Sequence, residues 1–358
     1  MKILFIAGRE PAYVRNAVIL TSLAKCGIEI INCTDSSASY PARYLKVILK
    51  FLSCQKYDAV FIGFLGQPLV PIIRMFTRKP IIFDAFLSTY DTICFDRKMF
   101  KPDSLFGRFF YNLDKYSCKL ADKVVLDTDA HIDYFTKTFA LPKDKFHRVF
   151  VGAEESLFYP RDLDREDKKF RIFYYSSFLP LHGTEYIVLA ANILREHADV
   201  EFVIVGRGLE HKKIQNLVQS LNIDMIRFID WLPYEQLPLV IAQADICLGG
   251  HFSDIDKAGR VIAGKTFQFL AMKKPVIVGD CPGNRELLTN RRDALFVSMA
   301  DPGALANAII ELRDNVSLRE DIALGGYETF MQQVSNEAIK TEIQKIVNSS
   351  VQCSYRIT

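Results

Sequence analysis

The sequence predicts an α/β protein of two domains, each a parallel β-sheet with helices on both faces. Three observations lead to this prediction. The chain has 358 residues, more than one typical hydrophobic core needs and enough for two domains of ordinary size. Short apolar runs alternate with amphipathic segments, as they do in parallel sheets. One charged run, residues 161–169, interrupts this alternation and is typical of a linker.

The predicted first domain, residues 1–160, contains six apolar runs that indicate strands. These are Ile3–Ala7, Ile28–Ile31, Ala59–Ile62, Ile81–Phe83, Val124–Leu126 and Val149–Val151. Helical patterns lie between them, at Tyr13–Lys25, Ala42–Ser53, Leu69–Thr77, Leu105–Leu120 and Ala130–Phe139. Gly8 follows the first strand without a G-x-G-x-x-G motif, so a dinucleotide site is not supported.

The predicted second domain, residues 170–358, repeats the same plan. Its strands are Arg171–Ser176, Val200–Val205, Ile226–Ile229, Ile246–Leu248, Val276–Val278 and Leu295–Val297. Its helices are Glu185–Glu196, Leu209–Leu221, Tyr234–Ala242, a short one in the stretch Gly264–Asp280 that Pro275 ends, and Pro302–Arg313, followed by two terminal helices near Leu318–Gln333 and Asn336–Asn348. Open α/β sheets bind ligands at the carboxyl ends of their strands, so we expect a ligand site in a cleft that both domains face.

Composition and charge exclude several classes of protein. The eight cysteines show no C-x-x-C spacing, so neither a zinc site nor a disulfide framework is indicated. The first apolar run is too short for a signal peptide, and Pro68 and Pro71 break the longest one. Residues 1–160 hold 22 Lys/Arg and 16 Asp/Glu, an excess too small for a nucleic-acid-binding domain. We expect a cytoplasmic protein that has no metal site.

The most informative stretch runs from Gly264 to Asp280. Lys265 and Gln268 lie three residues apart on one face of a short predicted helix, and Pro275 ends that helix. Lys265 falls in the first turn, where a cation opposes the helix dipole unless an anion lies between them. A phosphate would be held there by free amides and the ammonium together. A Lys265 side chain that simply points into water is an equally good interpretation from position alone.

Other loops after predicted strands carry similar groups. Gly183 precedes a helix, Arg207 lies between two glycines, and Arg260 lies in the long loop His251–Gly264. Each has an ordinary structural alternative, such as a capped turn for Gly183 or a solvated Arg207. Taken together, cations and free amides after nearly every strand favour an anion-binding site.

The pattern from Gly264 to Ile277 resembles the K-x-x-E-x-L-A-x-x-K-P-V-I signature of glycosyltransferase family 4, whose members transfer sugars from nucleotide sugars and have the GT-B fold. Weaker similarities to the family's motifs are found at Gly152 to Pro160 (G-x-(x)n-F-x-P), Val205–Gly208 (V-G-x-G), Asp230–Pro233 (G-x-V-P) and Asn284–Leu287 (x-x-E-L). The resemblance covers most of the chain and is strongest from Gly152 to Val297.

The resemblance implies two groups of site residues. The donor-binding group consists of His182, Gly183, Arg207, Leu232, Lys265, Gln268, Asn284 and Glu286. Lys265 and Arg207 would lie near the diphosphate, Gln268 would face the ribose, and Leu232 would meet the base through its backbone. The catalytic group consists of Asp84 and Arg260, both near the transferred sugar.

Three residues depart from the family pattern. His182 stands where a second phosphate cation is usually Lys, and Arg260 and Gln268 replace two glutamates. Gln268 keeps an acceptor for a ribose hydroxyl, whereas Arg260 changes sugar recognition. The implied mechanism retains the anomeric configuration, with Lys265, Arg207 and a protonated His182 stabilising the departing diphosphate.

The predicted partners are a UDP- or GDP-sugar donor and a glycan or lipid-linked acceptor, with no nucleic acid and no cofactor. Arg43, Lys46 and Lys50 share one face of a predicted helix, with Leu45, Ile48, Leu49 and Leu52 on others. Basic and aromatic residues follow at Arg97–Lys101 and Phe106–Tyr111. These segments predict contact with the inner membrane face, or else a core-facing helix with a solvated basic side.

Two other functions stay open at this stage. A nucleotide-sugar epimerase of the same fold would place carboxylates such as Asp254 and Asp256 around the sugar. A degenerate nucleotide-binding subunit that supports another transferase is compatible with the changes at Arg260 and Gln268.

Overall fold

The computed structural model describes residues 1–54, 56–161, 163, 165 and 167–355, with the backbone alone for residues 352–355. The chain divides into two units. Unit 1 comprises Met1–Gly152 and Asn336–Thr358, and unit 2 comprises Ala153–Ser335. In the described residues, each unit is built on one six-stranded parallel sheet.

The sheet of unit 1 has the strand order β2-β1-β3-β4-β5-β6. Its strands are β1 (Lys2–Ile6), β2 (Glu29–Asn32), β3 (Ala59–Ile62), β4 (Ile81–Asp84), β5 (Lys123–Leu126) and β6 (Phe146–Arg148). The helices between them are α1 (Val14–Lys25), α2 (Tyr40–Ser53), α3 (Leu69–Phe76), α4 (Thr89–Asp91), α5 (Leu105–Leu120) and α6 (Asp129–Phe139).

Both faces of this sheet are buried, which explains why its strands are apolar throughout. Leu4 and Ile6 of β1 belong to the core beneath α2, α3, α5 and α6. Ile3 and Phe5, which point to the opposite face, belong to a second core with α1. Ile3 pairs with Ile30 on one side and Ala59 on the other, so β1 is a central strand.

The sheet of unit 2 has the order β12-β11-β10-β7-β8-β9. Its strands are β7 (Phe170–Tyr175), β8 (Val200–Val205), β9 (Ile226–Ile229), β10 (Ile246–Leu248), β11 (Val276–Gly279) and β12 (Leu295–Val297). Its helices are α7 (Thr184–Ile193), α8 (His211–Ser220), α9 (Leu237–Ala242), α10 (Gly264–Ala271), α11 (Pro282–Arg285), α12 (Pro302–Asp314) and α13 (Val316–Thr329).

The last helix, α14 (Asn336–Tyr355), corrects the predicted domain boundaries. The predicted second domain included this helix, but it packs on α1. Ile339, Ile343 and Val347 of α14 are buried in the same core as Ile19. The first unit also ends at Gly152 rather than at residue 160. Within the predicted linker 161–169, residues 162, 164 and 166 lie outside the described part, as do residues 356–358 of the predicted second domain.

One predicted strand is misplaced. A strand is predicted at Val149–Val151, whereas the structure has β6 at Phe146–Arg148, paired with β5. The carbonyl oxygens of Val149 and Phe150 instead accept hydrogen bonds of 2.8 Å from Arg15 Nη1. The other predicted strands overlap observed ones.

Two further observations concern the helices and the cysteines of the described residues. No helix there combines the length and apolarity that crossing a membrane requires. Seven cysteines, Cys26, Cys33, Cys54, Cys94, Cys118, Cys247 and Cys281, are free thiols.

Candidate functional site

The loops that follow the strands of unit 2 lie along one edge of its sheet, because all six strands run in parallel. This edge holds most of the residues that the sequence analysis selected. We call it the loop edge; it is formed by the segments after Tyr175, Val205, Ile229, Leu248, Gly279 and Val297.

Glycines allow neighbouring loops to touch along this edge. Gly183 has a φ of +66°, and a Cβ on it would lie 2.4 Å from the backbone nitrogen of Ser253. A Cβ on Gly208 would lie 1.7 Å from the carbonyl oxygen of Ser177. Both distances are far below van der Waals contact, so the need for glycine at these two positions arises from loop packing within the protein itself.

Lys265 lies in the first turn of α10, and its side chain is buried, with only 6% of the residue exposed. Its Nζ has no hydrogen-bond partner among the described residues. The same atom lies 4.1 Å from the ring centroid of Tyr174 and 5.7 Å from that of Tyr175. Burial lowers the pKa of Lys265 to about 7. A buried ammonium without an anion is unfavourable, so this position is suited to binding one.

The start of α10 adds backbone donors to this position. The residue before the helix, Ala263, makes no side-chain capping bond to it. The Thr266 amide donates a hydrogen bond of 2.9 Å to the Ala263 carbonyl oxygen. The amides before it have no intrahelical acceptor, and the helix dipole favours an anion beside them. Lys265 and the start of α10 can therefore contact the same phosphate group.

His182 and His251 stack in parallel at the loop edge. Their ring centroids are 5.3 Å apart and their planes differ by 2°. Ser176 Oγ accepts a hydrogen bond of 2.8 Å from the Phe178 amide and lies 2.6 Å from His182 Nδ1. The Leu179 amide also donates to Nδ1, at 3.4 Å. Nδ1 is therefore an acceptor, which assigns the proton of the neutral His182 ring to Nε2.

The protonation state of His182 differs from the predicted one. Burial is the largest effect on its pKa and lowers it, and the nearby Lys265 and His251 lower it further. The imidazole is therefore neutral near pH 7 in the ligand-free protein, whereas the resemblance implied a protonated His182 beside the diphosphate. A neutral ring with its proton on Nε2 is still a hydrogen-bond donor to a phosphate oxygen.

His251 was not selected as a site residue from the sequence, although it follows the two glycines Gly249 and Gly250. It is 7% exposed, and its Nδ1 has no hydrogen-bond partner among the described residues. Burial, followed by Lys265 and Lys257, lowers its pKa to about 3. Tyr174 and Tyr175 were not selected either, because they lie within the predicted strand Arg171–Ser176.

Gln268 lies one turn after Lys265, as predicted, and both contact Tyr175. Its amide is bonded at both ends within the protein. Oε1 accepts a hydrogen bond from the Tyr175 hydroxyl, and Nε2 donates one of 3.0 Å to the Tyr234 hydroxyl. A ribose hydroxyl that binds Gln268 would have to share the amide with the Tyr175 and Tyr234 hydroxyls, or displace one of these hydroxyls.

Arg207 and Leu232 lie after neighbouring strands, β8 and β9. Arg207 is exposed and forms an ion pair with Asp230, which lowers the pKa of that carboxyl group. Leu232 is half-buried, and the adjacent Trp231 is 72% exposed. A diphosphate at Arg207 would compete with Asp230 for the guanidinium.

The loop after β11 brings Asn284 and Glu286 near Arg260. A Cβ on Gly283 would lie 2.9 Å from the backbone carbon of Arg260. Asn284 is fully buried, and its amide donates a hydrogen bond of 2.7 Å to the Gly279 carbonyl oxygen. Asn284 thus holds the loop together, whereas Arg260 and Glu286 are partly exposed.

Asp84 in unit 1 does not have the position expected of a catalytic residue. Its carboxylate and the Arg15 guanidinium form two hydrogen bonds of 3.0 Å, and both side chains are fully buried. Arg15 also bonds the carbonyl oxygens of Val149 and Phe150. The structure therefore gives Asp84 a role in packing the end of β4 against α1, and a reactant has no access to it.

The predicted basic face of α2 is also revised. Arg43 is 5% exposed and does not share a face with Lys46 and Lys50 in solvent. Its guanidinium donates to the carbonyl oxygens of Ser37 and Gly8, at 2.9 and 3.0 Å.

Comparison with known proteins finds a family match for most of unit 2. Residues 155–329 match the family described as Glycosyl transferases group 1. This segment is similar to the domains of that family, and we call it the group 1 domain. The group 1 domain includes the whole loop edge, with Lys265, His182 and Arg207 among its residues.

Two curated relatives align with parts of the chain. The lipopolysaccharide core biosynthesis glycosyltransferase LpsD of Rhizobium meliloti is 31% identical over 42% of this chain and 42% of its own length. The alpha-D-kanosaminyltransferase of Streptomyces kanamyceticus is 22% identical over 75% of this chain and 67% of its own length. The chain thus spans less than half of the first of these relatives.

A solved structure matches the group 1 domain and unit 1 together. HepE of Anabaena, crystallised with UDP, is 15% identical to this chain and has a TM-score of 0.73. The match covers 98% of this chain and all of HepE. At this identity the similarity shows the fold, and with the two parallel sheets it confirms the predicted GT-B fold.

Proposed function

We propose that the protein is a glycosyltransferase that moves a sugar from a UDP- or GDP-sugar to a glycan or lipid-linked acceptor. The observation that carries this proposal is the Lys265 ammonium, buried without a partner at the loop edge of the group 1 domain. Its natural ligand is a diphosphate, because phosphate oxygens supply the anion and the acceptors that Lys265 and the start of α10 lack.

The proposed chemistry is electrostatic. When the nucleoside diphosphate departs, negative charge develops on its phosphates and the sugar becomes oxocarbenium-like. Lys265 and Arg207 would stabilise that charge as cations, and His182 as a neutral donor through Nε2. We propose transfer with retention and without a metal ion, and we place Arg260 and Glu286 beside the sugar.

We place the reaction in the cytoplasm. The seven described cysteines are reduced, which fits a compartment where thiols are kept reduced. LpsD is named for lipopolysaccharide core biosynthesis, and we propose a related role for this protein in building a cell-surface glycan.

Nucleotide binding tests the donor site. Thermal unfolding is measured with UDP, GDP, ADP, CMP and NAD, each at about a hundredfold over its dissociation constant, where binding adds about 2.7 kcal/mol to stability. We expect a shift with UDP or GDP that Lys265→Ala removes. The matched control is Lys212→Ala, an exposed lysine on α8, which should keep the shift. No shift with any nucleotide would overturn the donor-site assignment.

One observation favours a second function, a nucleotide-binding subunit without transfer activity. Both ends of the Gln268 amide are bonded to tyrosines, so the group that would face the ribose is already occupied. Incubating the protein with labelled UDP- and GDP-sugars and a membrane extract separates the two functions. Transfer of label to lipid or glycan supports the enzyme, whereas tight binding without transfer or hydrolysis supports the subunit.

A further inference from the structure

Helix α2 of unit 1 is apolar on two opposite faces. Val47 and Phe51 are buried in the core between the sheet of unit 1 and helices α2, α3, α5 and α6. Leu45, Leu49 and Leu52 recur at a spacing of four and three residues and are 48–59% exposed. A surface helix normally exposes polar residues on the side away from its core, so the outer leucine stripe is not explained by folding of unit 1.

Two neighbouring helices expose apolar side chains as well. On α5, Leu105, Phe109 and Tyr116 follow one helical stripe and are 85%, 57% and 50% exposed. On α3, Met75 and Phe76 are 80% and 58% exposed. Side chains of this size are rarely left in water in such numbers, and a large apolar patch usually marks an interaction site.

These stripes lie on one side of unit 1. Helix α3 contacts both α2 and α5, and all three helices contribute to the same buried core. We call their outer surface the apolar face of unit 1. Its members are Leu45, Leu49, Leu52, Met75, Phe76, Leu105, Phe109 and Tyr116.

Basic residues outnumber acidic ones on the same three helices. Their basic residues are Arg43, Lys46, Lys50, Arg74, Arg108, Lys115 and Lys119, and their one acidic residue is Asp114. Asp114 is 1% exposed and is bonded to the hydroxyls of Ser88 and Thr89. Among the cations, Arg43 is 5% exposed, Arg74 pairs with Asp122 and Lys50 pairs with Asp35. The remaining ones, Lys46, Arg108, Lys115 and Lys119, lie on the same helices as the exposed leucine, methionine and aromatic side chains, and these helices expose no acidic side chain.

We propose that the apolar face of unit 1 docks on an anionic phospholipid bilayer. The apolar side chains would enter the boundary between headgroups and acyl chains, as those of interfacial amphipathic helices do. Lys46, Arg108 and Lys119 would contact the lipid phosphates. The charge decides the class of partner: a neutral apolar protein surface would gain nothing from this excess of cations. The proposal is independent of the sugar-transfer activity.

Vesicle flotation tests the proposal with the full chain. Vesicles of phosphatidylcholine alone are compared with vesicles that contain phosphatidylglycerol. We expect binding to the anionic vesicles that falls about fivefold for each charge removed in Arg108→Gln and Lys119→Gln. Leu49→Gln with Phe109→Gln should abolish binding. Both pairs change exposed side chains, and thermal unfolding verifies that the variants fold.

The matched control is Val316→Gln with Leu324→Gln, two exposed apolar residues of α13 in unit 2. This control should bind anionic vesicles as the unaltered chain does. Absence of binding to any vesicle, or equal binding to neutral ones, overturns the proposal. So does a dimer in light scattering that the Leu49→Gln and Phe109→Gln changes dissociate, because a second copy would then cover this face.

Discussion

Lys265 Nζ lies 4.1 Å from the ring centroid of Tyr174 and has no hydrogen-bond acceptor among the described residues. The aromatic face attracts the ammonium, but it does not replace the solvation that burial removes. The protein therefore holds an unfavourable group in its ligand-free form, and the ligand would relieve that cost when it binds.

Replacing Lys265 with methionine should stabilise the ligand-free protein. Methionine fills a similar volume without a charge, and exchanging a buried charge for an apolar side chain often adds about 1–4 kcal/mol. Urea unfolding at pH 6 measures the gain, with Lys212→Met as the exposed control, which should change little. A loss of stability in Lys265→Met would mean that the amine supports the fold.

The same gain should depend on pH. The pKa of Lys265 is about 7 in the folded protein and 10.5 ordinarily, so between these values the unfolded chain binds more protons. Stability therefore rises with pH across this window in the unaltered protein. The difference from Lys265→Met should be largest below pH 7 and should shrink toward pH 10. A constant difference would contradict the lowered pKa.

Nucleotide binding at pH 8 should take up a proton. Lys265 is mostly neutral there without ligand, and a diphosphate beside it favours the ammonium form. Calorimetric titration of UDP or GDP in two buffers of different ionisation enthalpy measures this uptake. We expect close to one proton at pH 8 and less at pH 6, with affinity that falls as the pH rises. Equal uptake in Lys265→Met would assign the proton to another group.

Asp84 should matter for stability more than for chemistry. Asp84→Ala leaves the buried Arg15 guanidinium without its carboxylate, and breaking a buried pair in this way costs about 3–5 kcal/mol. Replacing both partners, in Arg15→Met with Asp84→Leu, should recover much of that loss. Urea unfolding of the unaltered protein, Arg15→Met, Asp84→Leu and the double variant gives the coupling free energy of the pair. A stable Asp84→Ala protein that had lost sugar transfer would restore the predicted catalytic role.

His251 should contribute to unfolding in acid. Burial lowers its pKa to about 3 from 6.5, so the unfolded chain binds the extra proton first and stability is lost as the pH falls from about 6.5 toward 3. The slope is at most about 1.4 kcal/mol per pH unit for one group. His251→Phe keeps a ring to stack on His182 and should flatten the profile of melting temperature against pH. An unchanged profile would contradict the lowered pKa.

Apolar patterns predicted the fold well because they are local. Strands buried on both faces and helices with one apolar stripe each have a characteristic spacing of apolar residues within a short stretch of sequence. Helix α5, for example, was predicted at its observed bounds. The misplaced strand at Val149–Val151 shows the limit. A buried apolar run has the same composition whether its carbonyl oxygens meet a neighbouring strand or, as here, Arg15.

The sequence by itself determined the two α/β units, the loops that follow the strands and the selection of Lys265. Only the tertiary structure decided which polar groups are already paired. Asp84 meets Arg15 from 69 residues away, and Gln268 meets Tyr175 from 93 residues away. Hydrogen bonds between such distant residues leave no periodic signal in the chain. Charge states likewise depend on the tertiary structure. The pKa of His182 is lowered by burial and by Lys265, and only the fold brings Lys265 close to His182.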